Sequence, residues 1–382
     1  MIWLACLLML QAAPDQVRFE QAQQLAAQGR CHEAEPLLKE LFDAHPHSAP
    51  IEFVLGQCQF QEKDYLTASN TFRKVLELAP GRAEAQSLYG AALGLSGRTA
   101  DAIEELRQAT ESNSTFEPSF RLLGMFGVES GHAGPDARAA LEKAISLDAT
   151  DERAHYWLGQ LDLLNKDYDK AGEEFSAALK LQPDSGQAML GHAKALVGSG
   201  QIEAALDEYR GVLKTQPASP EALLGIATCL YDLQQFREAL TAALDASKRV
   251  SDSQDRRAVL WLLSRLYRAL GDSAKAQQNE QLLAGMEQEK NGDLLRFRAL
   301  QEDAMRYRAA GDYAKVASTL EAAMRIEQRQ DSLVMLGDAY QALHRPRDAE
   351  KCYVKALAAG TEQQEILKRL QEVRSGPDYD KK

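Results

Sequence analysis

The stretch "NKDYDKAGEEFSAALKLQP", Asn165 to Pro183, has the spacing of an amphipathic helix, with Ala171, Phe175 and Ala178 falling on one face. A stripe selected only for buried area would carry leucines at 171 and 178. Alanine there implies that a neighbouring helix passes close against each position, while Phe175 fills the space between the passing helices. Sliding the stretch along the chain returns the same small residue at Ala34, Ala68, Ala102, Ala137, Ala171, Ala205, Ala239, Ala276 and Ala349, with Val316 as the odd member. Successive spacings are 34, 34, 35, 34, 34, 34, 37, 40 and 33 residues. A period this regular marks an internal repeat.

Five residues before most of these rungs stands a glycine, at Gly29, Gly97, Gly200, Gly271 and, before Val316, Gly311, with Gly131 six before Ala137. Each repeat holds two helical patterns of about a dozen residues, and the glycine falls between them, where a helix ends in a left-handed residue. The unit is therefore a helical hairpin. Twelve residues upstream of many rungs lies a second close-contact residue, at Ala22, Gly56, Gly90, Gly159, Ala193, Ala227 and Ala304. Pro46, Pro80, Pro183 and Pro217 follow second helices and stop them before the next hairpin.

These features resemble the tetratricopeptide repeat (TPR) family, and residues 157–183 carry the resemblance most fully, with Leu158-Gly159, Tyr168, Ala171, Phe175, Ala178 and Pro183 in the family's places. The resemblance runs from about Asp15 to Thr361 and implies an all-α, right-handed α-solenoid of about ten hairpins. The expected organisation is a signal peptide over 1–13, the solenoid over 14–361, a capping helix over 362–374 and a disordered tail over 375–382. The rungs spread apart around "MEQEKNGD", and a break is expected near 286–293, as a longer helix or a loop. One extra residue near Gly134 and Pro135 marks a smaller departure.

Composition agrees with an all-helical chain of 382 residues: Ala, Leu, Gln, Glu, Lys and Arg fill most windows, and β-branched runs are almost absent. The formal net charge of −12 lacks the basic field that phosphate binding draws on, which argues against a nucleic-acid partner. At the N-terminus, an apolar run from Ile2 to Leu10 precedes Ala12 and Ala13, the outline of an export signal without a basic leader. Nine residues of helix span roughly 14 Å against a hydrocarbon core of about 30 Å, so no transmembrane span is expected. A cleaved signal, placing the protein in the periplasm or outside a bacterial cell, is the reading taken here. An uncleaved surface anchor, or an ordinary buried cap on a cytoplasmic protein, are the alternatives.

No phosphate loop, dinucleotide fingerprint, H-E-x-x-H zinc helix, nucleophile elbow or EF-hand loop occurs in the sequence. The five cysteines form no C-x-x-C pair, and the "HPH" of His45 to His47 reads as a loop between hairpins. Asn113-Ser114-Thr115 is formally a glycosylation sequon, read here as a turn and helix cap. No catalytic residue, metal or cofactor is expected, and the chain is not read as an enzyme.

In the family, the first helix of each unit lines an inner groove. Carried over residue by residue, its inward places fall on Phe19, Phe53 and Phe60, on Tyr156 and Tyr231, and on Trp261, Arg265, Arg268, Arg298 and Arg308. Aromatic anchors followed by arginines fit a protein or peptide with an apolar and an acidic segment. The carboxylate clamp of the family's chaperone-binding members has no match, because Phe19, Gln23, Phe53, Gln57, Glu84 and Leu88 stand at its places. An antiparallel packing of the first hairpins would bring Cys31 and Cys58 to one edge, either as a disulfide or as two small buried thiols. The resemblance thus implies a non-enzymatic protein-binding scaffold that holds its partner in the concave groove. The alternative is a structural component of a cell-envelope assembly, of the pilus, secretion or outer-membrane type, docking through its ends or convex face.

Overall fold

The computed structural model describes residues 2–131, 135–359, 363–376 and 379, together with the side chains from residue 15 onward except those of 358, 359, 363 and 364. Within them the chain is all-α, with twenty helices and no strand. In chain order they are α1 (Ile2–Ala27), α2 (Cys31–Ala44), α3 (Ala49–Gln61), α4 (Tyr65–Leu78), α5 (Ala83–Leu95), α6 (Thr99–Ser112), α7 (Glu117–Glu129), α8 (Pro135–Leu147), α9 (Glu152–Leu164) and α10 (Tyr168–Leu181). There follow α11 (Gly186–Gly198), α12 (Ile202–Thr215), α13 (Pro220–Asp232), α14 (Phe236–Ser247), α15 (Ser253–Ala269), α16 (Ser273–Ala309), α17 (Tyr313–Met324), α18 (Gln330–Ala342), α19 (Pro346–Ala359) and α20 (Gln363–Ser375). Two compact units result, one of residues 1–130 and 346–382, the other of residues 131–345.

The alanine ladder is the packing surface of the solenoid: all nine alanines and Val316 are at most 5% exposed. In the second unit, Phe175 of α10 is fully buried between two glycines. A Cβ on Gly159 of α9 would lie 3.0 Å from its ring, and one on Gly191 of α11 would run into it. The ring therefore occupies the volume that side chains on both flanking helices would need. That is why residue 175 is large and its neighbours are small.

The hairpin turns follow one rule with two kinds of residue. Gly29, Gly97, Gly131, Gly200, Gly271 and Gly311 have φ between +72° and +92°. In the remaining turns the same left-handed position is held by Lys63, Lys166, Gln234 and His344, with φ of 56–64°. Each lies five residues before its rung, where the sequence shows no glycine. Aspartates open several helices: Asp272 and Asp312 accept from the backbone N–H of Lys275 and Lys315 at 3.1 and 3.2 Å. That backbone bond, with help from the Lys275 side chain, holds the Asp272 carboxyl below its usual range. The sequon is a turn, with Asn113 Oδ1 accepting from the Thr115 N–H at 3.1 Å.

In the second unit α16 departs from the repeat. The rungs spread because no turn separates the second helix of one hairpin from the first helix of the next, and residues 273–309 form one helix of 37 residues. The break expected near 286–293 is thus uninterrupted helix. In the first unit, α20 packs on α19 and buries Ile366, Leu370 and Val373. Of the expected tail, most lies outside the described residues, and the Tyr379 hydroxyl donates to Glu350 Oε2 at 2.6 Å.

Candidate functional site

In the second unit, α13 and α15 bring together three residues of the expected groove. Trp261 and Arg265 are one turn apart on α15, so their side chains lie on the same face. The Arg265 guanidinium carbon sits 4.7 Å from the Trp261 ring centroid and 5.1 Å from that of Tyr231 on α13. Its Nε donates to the Tyr231 hydroxyl at 3.1 Å. Tyr231 is itself braced by Phe236 of α14, with ring centroids 5.5 Å apart. Trp261 is 48% exposed, whereas its neighbours Leu262, Leu263 and Leu266 anchor α15 in the core. The outcome is a cation held between two aromatic faces, with its outer N–H donors free among the described residues.

The other expected residues are placed differently. Phe53 is a core residue, 4% exposed, packed 5.9 Å from Phe72 and covered by the Arg82 guanidinium carbon at 3.7 Å. Its assignment to the groove is therefore corrected, because the ring closes the core of α3 and α4 and presents no face to a ligand. Phe19 and Phe60 are half-buried against their own hairpins, Phe60 edge-on to Tyr65 at 5.2 Å. Tyr156 is edge-on to Phe175 at 5.9 Å and belongs to the same interhelical filling. Among the arginines, Arg268 is bound by Glu280 of α16 and Arg308 by Asp338 of α18 at 3.5 Å. Arg298 has no ion-pair partner among the described residues.

Cys31 and Cys58 are both buried free thiols in one cluster with Leu38, Leu41, Ile51 and Val54. Cys31 Sγ donates to Gln61 Oε1 at 3.3 Å. Burial, with the neighbouring Cys31, pushes the Cys58 thiol well above its usual range. Of the two readings the sequence left open, the structure holds the thiols.

Sequence reading missed Lys194 of α11 and Glu221 of α13, which form an ion pair between adjacent first helices. They sit beside Asp255 of α15, whose carboxyl is pushed up by burial and by the adjacent Asp252. The signal was present as an opposite-charge pair 27 residues apart, a spacing that means nothing until the hairpins stack. Among the described residues no group of His, Cys, Asp and Glu is placed to hold a metal ion. No helix among them is long and apolar enough to cross a membrane.

Two tetratricopeptide repeat family models match the chain, one over residues 25–88 and the other over residues 131–186 and 190–255. The chain belongs to the tetratricopeptide repeat family. The C-terminal part of a TPR repeat-containing protein from Cytophaga hutchinsonii is 20% identical, covering 63% of this chain and 98% of that one with a TM-score of 0.47. MamA from Desulfovibrio magneticus is 23% identical over 45% of this chain and 96% of its own, with a TM-score of 0.41. YrrB, described as a TPR protein with an unusual peptide-binding site, is 19% identical over 49% of this chain and 95% of its own, with a TM-score of 0.41. No curated protein matches the chain in sequence. As a TPR protein, the chain has the architecture of a protein-interaction scaffold.

Proposed function

We propose that this TPR protein is a non-enzymatic scaffold that captures a peptide carrying an apolar residue next to an acidic one, on the face formed by Tyr231, Trp261 and Arg265. The observation that carries the reading is the clamp itself. Trp261 is a large aromatic exposed beside a guanidinium whose orientation is fixed by Tyr231, so little ordering cost remains for a ligand to meet. A carboxylate would take the free guanidinium donors in a forked pair, while an apolar side chain covers the indole. The apolar run of Ile2 to Leu10 ahead of Ala12 and Ala13 supports export as the setting, to be checked by sequencing the N-terminus of the protein recovered from its native cell.

The test is a synthetic peptide array in which an aromatic or leucine is followed by acidic, neutral or basic residues. The full chain is expected to retain the apolar–acidic members. Arg265→Glu should reverse the preference toward basic members, and Trp261→Ala should weaken all retained members by about tenfold or more, the scale of an interface anchor. Both positions are solvent-facing, so circular dichroism should not change. Equal retention of acidic peptides by Arg265→Glu and the parent would sink the reading.

A further inference from the structure

Residues Glu287 to Arg296 of α16 are ten consecutive exposed residues, about 15 Å of helix. The helix is buried only before and after this stretch, at Ala276 and at Phe297 and Ala304. Ala276, Phe297 and Ala304 share one side by helical periodicity, the side turned toward the rest of the unit. Gly285, Gly292 and Ala299 recur every seven residues on the opposite side, interleaved with Gln288 and Leu295. Leu295 is 66% exposed, the most exposed large apolar residue among the described residues. A Cβ at Gly285 or Gly292 would meet open space, so neither glycine serves packing within the chain. Glycine in a helix interior costs about 1 kcal/mol relative to alanine, so an exposed stretch that carries Gly292, with Gly285 just before it, lacks the support that helices ordinarily draw from packing.

We propose that this outer face of α16 pairs with the same face of a second copy of the chain, antiparallel, about a two-fold axis near Asp293. Charge selects the occupant and its direction. On one flank of the face stand Glu289 and Arg296, neither with an ion-pair partner among the described residues. Antiparallel pairing sets this flank of one copy against the same flank of the other, and so Glu289 of each against Arg296 of the other, twice by symmetry, whereas parallel pairing turns the two flanks to opposite sides of the contact and separates these charges. The same register seats Leu295 of each copy between Gln288 and Gly292 of the other. The missing Cβ there lets the backbones approach and gives the exposed leucine a seat. The contact covers about four helical turns, small for an interface, so the dimer is expected in the micromolar range.

Sedimentation velocity of the full chain across micromolar concentrations tests this. The parent should move from 42.2 kDa toward twice that mass as concentration rises, and the shift should weaken with added salt. Leu295→Glu should leave a monomer at every concentration, with unchanged helicity because the site is bare. Glu289→Arg and Arg296→Glu should each raise the dissociation constant by about tenfold, and the double exchange should restore it. A parent that stays monomeric throughout, a dimer that survives Leu295→Glu, or a double exchange that fails to rescue would each overturn the pairing. A monomer that dimerises only with another protein bound would do the same.

Discussion

At position 191 the repeat is decided by a missing methyl group. The Phe175 ring lies where a Cβ on Gly191 would sit, and neither the ring nor the α11 backbone can withdraw without opening the stack. Gly191→Ala should therefore destabilise the protein by about 1–3 kcal/mol despite alanine's better helix propensity, measured by urea unfolding. Lys166 presents the opposite case. It holds φ +63° at a turn that glycine occupies in other hairpins. Lys166→Gly should stabilise by about 0.5–1 kcal/mol, the left-handed strain relieved less the entropy glycine adds to the unfolded chain; an unchanged midpoint would show that the turn carries no strain. Cys229 gives a pH-dependent readout. Burial, and next the nearby Asp232, push its thiol up to about 11. A raised thiol pKa means less thiolate at neutral pH, about one molecule in a thousand near pH 8, so alkylation of the native protein should be negligible there and should rise toward pH 11. Labelling at an ordinary thiol rate below pH 9 would contradict the burial.

At the scale of elements, hairpins are joined by polar contacts as well as by the ladder. Asp162 on α9 is 1% exposed, and its carboxylate is met by Arg138 on α8, an ion pair that also raises the Arg138 pKa. Removing the arginine leaves a buried charge without a partner, so Arg138→Ala should cost on the order of 3 kcal/mol. Asp162→Asn in the same background should recover part of that loss, since it removes the orphaned charge. A loss below about 0.5 kcal/mol in thermal or urea unfolding, the size of an exposed pair, would show that water reaches Asp162. The hairpin elements themselves were legible in the sequence, because turn, rung and stop residues recur at fixed offsets. Four turns were legible only by position, because Lys63, Lys166, Gln234 and His344 carry no local mark of the left-handed conformation that their hairpins impose.

At the scale of the molecule, stability follows the stacking of neighbours. A continuous buried cluster runs from Leu190 to Leu266 in the second unit, while residues 287–296 of the same unit are exposed at every position. Native-state hydrogen exchange at concentrations below dimerisation should therefore be slowest across α12 to α15 and fastest across 287–296, with the gradient following contacts and not distance from the termini. Uniform protection along the second unit would show that it opens as one block. The net charge of −12 belongs to this scale too. It is compatible with a local basic clamp at Arg265, because that charge is held by aromatic faces and not by a field over the surface.

The sequence by itself determined what repeats: the period of about 34 residues, the hairpin, the ten buried rungs and the large residue between small ones. Those features depend on residues within one or two turns of each other, and every unit states them again. Tertiary structure decided which side chains are free. Phe53 and Trp261 occupy equivalent family places, yet one closes a core beneath Arg82 and the other faces solvent. Arg265 and Arg268 are three residues apart, yet Tyr231 orients the first and Glu280 takes the second. Each outcome was set by a partner on another helix, 12 to 34 residues away in these cases. Helical periodicity fixes the direction in which a side chain leaves its own helix, and only the stacked neighbour fixes what it meets there.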